Sequence, residues 1–339
     1  MVRIIAPLFI SLFFISCHHG SKVPDVSNIK IDITTQHFEQ DFFACDSANV
    51  SNQMVQLRAK YPAFADIFFS QILETGPQMT ASDLNVYVGG FINAYKHVYD
   101  TAELHFKDFT PYEEEIKQGL QFVKYYFPAY KVPSTIITYI GPVEGTGNFL
   151  ASDYGILAIG LQHHLGKDFS LYQASFVQET YPDYVSAQFE PSYISVNSMK
   201  NILNDIYPEK DNDDPLVNRM VEKGKRLYVL SKLLPYKEEY KLIGYTEKQT
   251  KECYENEAKI WDMFIQNNLL QINDPDIIKK YVEDGPKTVE LGEGAPGNIG
   301  SFAGWQIVKK YMQKNDKVTL QQLLSTDAET IFQDTRYKP

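Results

Sequence analysis

Residues Tyr193 to Leu234 constrain this chain more than any other stretch: YISVNSMKNILNDIYPEKDNDDPLVNRMVEKGKRLYVLSKLL. Val196, Met199, Leu203 and Ile206 recur at three- and four-residue steps, with Ile202 beside them, so they share one helix face. Pro208 and the acidic run from Glu209 to Asp214 break that period. Leu216, Met220, Val221, Leu227, Tyr228 and Leu234 resume it, interrupted at Gly224. The pattern predicts two amphipathic helices flanking an acidic loop.

A zinc peptidase site has a comparable layout. Its first helix carries H-E-x-x-H and its second brings a glutamate to the metal. Met220-Val221-Glu222-Lys223-Gly224 is similar to the second half. Where the first half would fall stands Asn197-Ser198-Met199-Lys200-Asn201. Neither asparagine is a usual zinc ligand, Ser198 cannot serve as the general base, and Lys200 adds positive charge. The expectation is therefore a zincin-like, degenerate metallopeptidase scaffold with no catalytic residue, no metal and no cofactor. Asn197, Asn201 and Glu222 would line its cleft, and a peptide or partner protein would fill it. Two other readings stand beside this one. The helices can be ordinary amphipathic packing elements with a solvated loop, in a structural protein whose cleft is filled by side chains. Or the chain is a metallopeptidase with unusual ligands, His163 or His164 plus Glu222. That needs the histidines within about 10 Å of the glutamate, since metal–ligand bonds are about 2 Å long.

The N-terminus narrows the compartment. Ile4 to Ile15 is an apolar run after Arg3, too short for a membrane span and suited to a secretory signal. It ends Phe14-Ile15-Ser16-Cys17, which resembles a bacterial lipobox with phenylalanine in place of leucine. The expected product begins at Cys17 after removal of residues 1–16. Its thiol and new amino terminus would carry acyl chains, palmitate among them, that bury in a membrane. Residues 17–29 then read as a polar tether, and 30–339 as one domain, with a helical front part over 30–132 and the zincin-like part over 133–339. The expected place is the cell envelope, facing the periplasm, with the leaflet open.

Charge agrees with that assignment. Lys+Arg 32 against Asp+Glu 43 gives a net charge of −11, with no basic block, which argues against nucleic acid as a partner and against loose attachment to anionic lipid. Cys45 and Cys253 could pair in an exported compartment or remain as buried thiols.

Along the remaining chain, IKIDI (29–33) predicts a short strand before a helical EQDFFACD. Helices are expected over 51–73, over 83–102 with Ser82 as N-cap, and over 112–127. Strands are expected at 134–141, 147–151 and 155–161, the last two joined by a hairpin turn at 152–155. His163 and His164 follow the third strand; as sequence neighbours they point apart and suit one metal poorly. After Pro235 come a turn and one long helix, with Thr246 and Gln249 as a capping box and Trp261 in its apolar face. The glycines of 292–300 precede a helix at 302–313. Such a loop can bind phosphate or carboxylate. Without a Walker lysine-serine it reads better as a tight loop that lets the helix dock. The fold class is α+β, mainly helical, with a small sheet.

Together, Cys17, GILAIGLQHHLG, MVEKGKRLY, KIWDMFIQNNLL, PGNIGSFAGWQIVKKYM and the ending RYKP resemble the gliding-motility lipoprotein GldB family of the Bacteroidetes. That family is distantly similar to predicted zinc-dependent proteases. The resemblance covers nearly all of the mature chain. It implies a membrane-anchored envelope lipoprotein that works with proteins of the gliding and type IX secretion machinery, and it implies no catalytic residue.

Overall fold

In the computed structural model, which describes residues 23–47, 49–209 and 213–339, the sheet is small and mixed. Cys17 and the signal and tether segments before residue 23 lie outside the described residues. The strands are β1 (Thr34–His37), β2 (Thr135–Tyr139), β3 (Phe149–Ala151) and β4 (Ile156–Gly160), in the order β1-β2-β4-β3. β2 runs parallel to β1 (Thr35 opposite Ile136) and to β4 (Ile137 opposite Ala158), while β3 is antiparallel to β4 (Leu150 opposite Leu157). The two central strands, TIITY and ILAIG, are continuous buried runs, as strands covered on both faces must be. The expected hairpin forms through Ser152–Tyr154, with Gly155 at φ +65°, a left-handed position that a glycine adopts without steric cost.

The expected strand at 29–33 is not paired; its apolar residues Ile31 and Ile33 are buried, and the pairing starts one residue later at Thr34. β1 feeds straight into α1 (Phe38–Phe43). The predicted helix over 51–73 is divided: α2 (Val50–Lys60) ends at Tyr61, α3 (Pro62–Ile67) begins with the proline, and a π-turn covers Phe68–Ile72. Pro62 has no N–H to continue α2 but suits the first turn of a new helix. The next predicted helix is also two, α4 (Ala81–Ala94) and α5 (Lys96–His105), and its cap is Thr80, boxed with Asp83, not Ser82. α6 (Thr110–Tyr126) follows as expected. Phe38, Phe42, Phe64, Phe68 and Tyr139 form a ring cluster that packs this helical part onto β2.

After β4 come the short α7 (Ser175–Thr180) and α8 (Asp183–Ser186), then α9 (Ile194–Ile206) and α10 (Leu216–Leu233), the two helices of the central sequence stretch. The long helix expected after Pro235 is three pieces: α11 (Glu239–Ile243), α12 (Glu247–Glu255) and α13 (Glu257–Gln266). α14 (Pro275–Val282), α15 (Ile299–Lys314), α16 (Leu320–Ser325) and α17 (Ala328–Thr335) complete the chain. α10 and α15 are the most extensively packed pair, with α9, α14 and α17 around them, and α9 also lies against β3 and β4. A buried apolar cluster runs from Val26 to Tyr337. The fold is thus mainly helical α+β.

Candidate functional site

On α9, Val196, Met199, Ile202 and Leu203 are buried, which is the stripe expected from their spacing. The opposite side carries Asn197, Lys200, Asn201 and Asn204. Asn201 Nδ2 donates to the Asn148 carbonyl at 3.1 Å and to the Asn197 carbonyl at 3.0 Å, tying α9 to the start of β3.

On α10, Gly224 is a contact glycine. A Cβ there would stand 2.2 Å from the Gly304 carbonyl oxygen, and one on Gly304 would stand 1.7 Å from the Met220 carbonyl oxygen. The backbones of α10 and α15 therefore cross in direct contact. The glycine that interrupts the apolar stripe is explained by helix packing.

Glu222, two residues from both Met220 and Gly224, lies on another side of α10 from that seam and is about one-third exposed. Its carboxylate accepts from Lys225 Nζ at 2.6 Å and from the Tyr207 hydroxyl at 3.1 Å. Lys225 is almost fully buried and also donates to the Thr326 carbonyl. Burying an ammonium is tolerable only with such partners. Glu222 faces a pocket of about 250 Å³ that also takes in Tyr207, Arg219, Arg226, Thr326 and Asp327. Four carboxylates (Glu209, Asp214, Glu222, Asp327) and four cations (Arg219, Lys223, Lys225, Arg226) line it, so the pocket is polar and charge-balanced. Glu209 bridges Lys223 at 2.9 Å and Arg226 at 3.3 Å, and the Arg226 guanidinium also reaches Asn204 and the Tyr207 carbonyl. The lysine and arginine charges hold the Glu209 carboxyl below its usual value, although burial alone would raise it.

The three residues expected to share a cleft are divided. Glu222 lines this pocket, while Asn197 and Asn201 are not among its lining residues and Asn201 is engaged with the sheet edge. Residues that the sequence pattern did not single out, Tyr207, Arg226 and Thr326, complete the setting of Glu222. Lys225 was not singled out either, although its position three residues on along the helix is the one signal that could have found it.

The two histidines are built into the fold. His163 stacks on Phe189 (ring centroids 4.3 Å apart), its Nε2 meets the Val143 carbonyl at 2.7 Å, and Gly147 crowds its Nδ1, where an added Cβ would lie 2.4 Å away. His164 has the Glu190 carbonyl 3.2 Å from Nδ1 and Asn148 Oδ1 3.0 Å from Nε2. Burial pushes both imidazoles down, to about 4 for His163 and about 3 for His164, so both are neutral near pH 7. Among the described residues, no group of three or more His, Cys, Asp or Glu is arranged to hold a metal ion. Cys45 and Cys253 are both free thiols, not a disulfide. Cys253 is buried and its thiol is pushed up to about 12 by desolvation.

The profile of the gliding motility protein GldB matches residues 19–339. The chain belongs to this family. No curated protein and no solved structure matches it. Membership makes this a gliding-motility-related lipoprotein associated with the cell envelope and its machinery. No helix among the described residues is long and apolar enough to cross a membrane.

Proposed function

We propose that this lipoprotein serves the gliding and type IX secretion machinery as a non-catalytic, peptidase-like scaffold, anchored through Cys17, that holds a protein or peptide partner in the Glu222 pocket. One observation carries the reading: the Glu222 carboxylate is committed to a buried lysine and a tyrosine. A carboxylate in that setting is already neutralised and hydrogen-bonded. Metal binding or proton uptake there must compete with those two partners. A charge-balanced polar pocket suits the mixed donors, acceptors and charges of a polypeptide surface. The zincin-like part of the reading is supported by topology. β3 is an antiparallel edge strand of a mixed sheet, and α9, the helix where H-E-x-x-H would fall, lies alongside it with α10 behind.

The test is complementation of a gliding host that lacks its own copy. Glu222→Ala alone is a poor probe, because it strands the buried Lys225 cation, a change expected to cost about 3–5 kcal/mol. The paired variant Glu222→Gln with Lys225→Met removes both charges together. Loss of motility at normal protein level and unchanged thermal unfolding is the expected result. Full motility, or a defect explained by falling abundance alone, overturns the reading in favour of a structural role.

A further inference from the structure

Glu209, Lys223 and Arg226 line a second pocket as well as the first, so their ion cluster is a wall between the two. The second pocket has a volume of about 360 Å³ and lies where α9, α10, α11 and α14 meet the start of α15. Its character is different. Leu203, Leu227, Leu242 and Val282 supply an aliphatic surface, and beyond the shared ion cluster Lys200 supplies one positive charge and Glu283 and Asp284 two negative ones.

Lys200 is the anomaly. Lys223 and Arg226 are paired with Glu209, whereas the Lys200 ammonium makes no hydrogen bond and no ion pair among the described residues. Asp284 is near enough to favour its charge but does not form a contact ion pair. Desolvation holds the amine below the usual lysine value, and the Lys223 charge adds to that effect. Lys200 is only partly buried, and a cation on a pocket wall with no protein partner is free to take an anion. Among the described residues Asp284 accepts one long contact, 3.3 Å, from Asn298 Nδ2, and a carboxylate has capacity for further donors. The same negative charge disfavours a dianion such as phosphate beside Lys200. A cation, an N–H acceptor and an aliphatic wall around one small cavity fit three features that occur together at the end of a polypeptide.

We propose that this pocket takes the C-terminal residue of a polypeptide that ends in a branched aliphatic side chain. The terminal carboxylate sits on the Lys200 ammonium, the side chain lies against Leu203, Leu227, Leu242 and Val282, and the terminal amide N–H donates to Asp284. This rests on the reading that the chain holds a polypeptide partner, and supplies the chemistry by which the end of that partner is recognised.

The experiment is calorimetric titration of the purified full chain in detergent with N-acetyl-Ala-Ala-Leu as the free acid, with its C-terminal amide, and with octanoate. The free acid is expected to bind and the amide to bind at least tenfold more weakly. Lys200→Met, with unchanged thermal unfolding, is expected to erase that difference. If Lys200→Met does not fold, the acid and amide compared on the native chain decide alone. Equal binding of acid and amide, or no binding of either, overturns the proposal. Octanoate binding as tightly as the peptide overturns the peptide assignment in favour of a fatty acid. If the peptides fail while the paired Glu222 and Lys225 variant still abolishes motility, this inference falls and the Glu222 reading stands.

Discussion

Gly224 and Gly304 meet where α10 crosses α15, and the space between the two backbones leaves no room for a methyl group at either. Gly224→Ala or Gly304→Ala must push the helices apart, and each is expected to lower stability by about 2 kcal/mol or more, read from denaturant midpoints. A loss below about 0.5 kcal/mol would mean that the crossing is looser than described. His163 and His164 offer a second test at this scale. A ring whose pKa is lower folded than unfolded binds fewer protons in the native state. Its contribution is complete above the unfolded value near 6.5 and drains as pH falls towards about 4 and about 3. Stability should drop by about 1.4 kcal/mol per pH unit for each ring below pH 6. His163→Asn should flatten the slope, and imidazole NMR signals should show no titration between pH 5 and 8. A midpoint near 6.5 for either ring would contradict the burial described. At residue scale, the sequence pointed to Glu222 through a motif-like segment; Lys225 was missed, although its three-residue spacing from Glu222 carries a signal. Thr326 was not legible, because its carbonyl reaches Lys225 across 101 positions. Lys200 was visible only as a cation out of place in a degenerate motif; its lack of a partner is a property of the packed pocket.

Helices were legible as apolar periods, and their ends only where side chains make a self-contained signal. Thr246 and Gln249 form the expected reciprocal box, Gln249 N–H donating to Thr246 Oγ1 at 3.1 Å and Thr246 N–H to Gln249 Oε1 at 2.9 Å. Thr246→Ala should cost about 1 kcal/mol in thermal or denaturant unfolding; no change would show that α12 is held by packing alone. The break between α12 and α13 was missed because Asn256 looks like any polar helix residue. Its Nδ2 donates to the Glu252 carbonyl at 2.8 Å, and its backbone leaves the helical region at φ −116° and ψ 19° without a proline or glycine to announce it. The strands at 135–139 and 156–160 were legible from β-branched, apolar runs. The first strand was placed at 29–33 and not at 34–37, because its partner is about a hundred residues away and parallel, so no hairpin turn fixes which residues pair.

For the whole molecule, the α+β class, the helix pair and the family were all readable from the chain itself, and the profile match over 19–339 agrees with them. The common cleft for Asn197, Asn201 and Glu222 was not readable. Helix spacing says which residues share a face of one helix but not how two helices are rotated against each other. Here α9 turns Asn201 to the sheet edge while α10 turns Glu222 towards Tyr207 and the pocket that the α16–α17 connection lines. The same rotation places the ion cluster of Glu209, Lys223 and Arg226 between two pockets of unlike chemistry.

The proposed scaffold without peptidase chemistry stands or falls on whether Glu222 is a ligand or a hydrogen-bonded structural carboxylate. Elemental analysis of zinc in the purified native chain, beside Glu222→Gln, measures this directly. Glutamine keeps an acceptor for Lys225 but is a far weaker metal ligand. Well under one zinc per chain in both proteins is the expected result. Near-stoichiometric zinc in the native chain that is lost in Glu222→Gln would contradict the scaffold reading and make the Glu222 pocket a metal site.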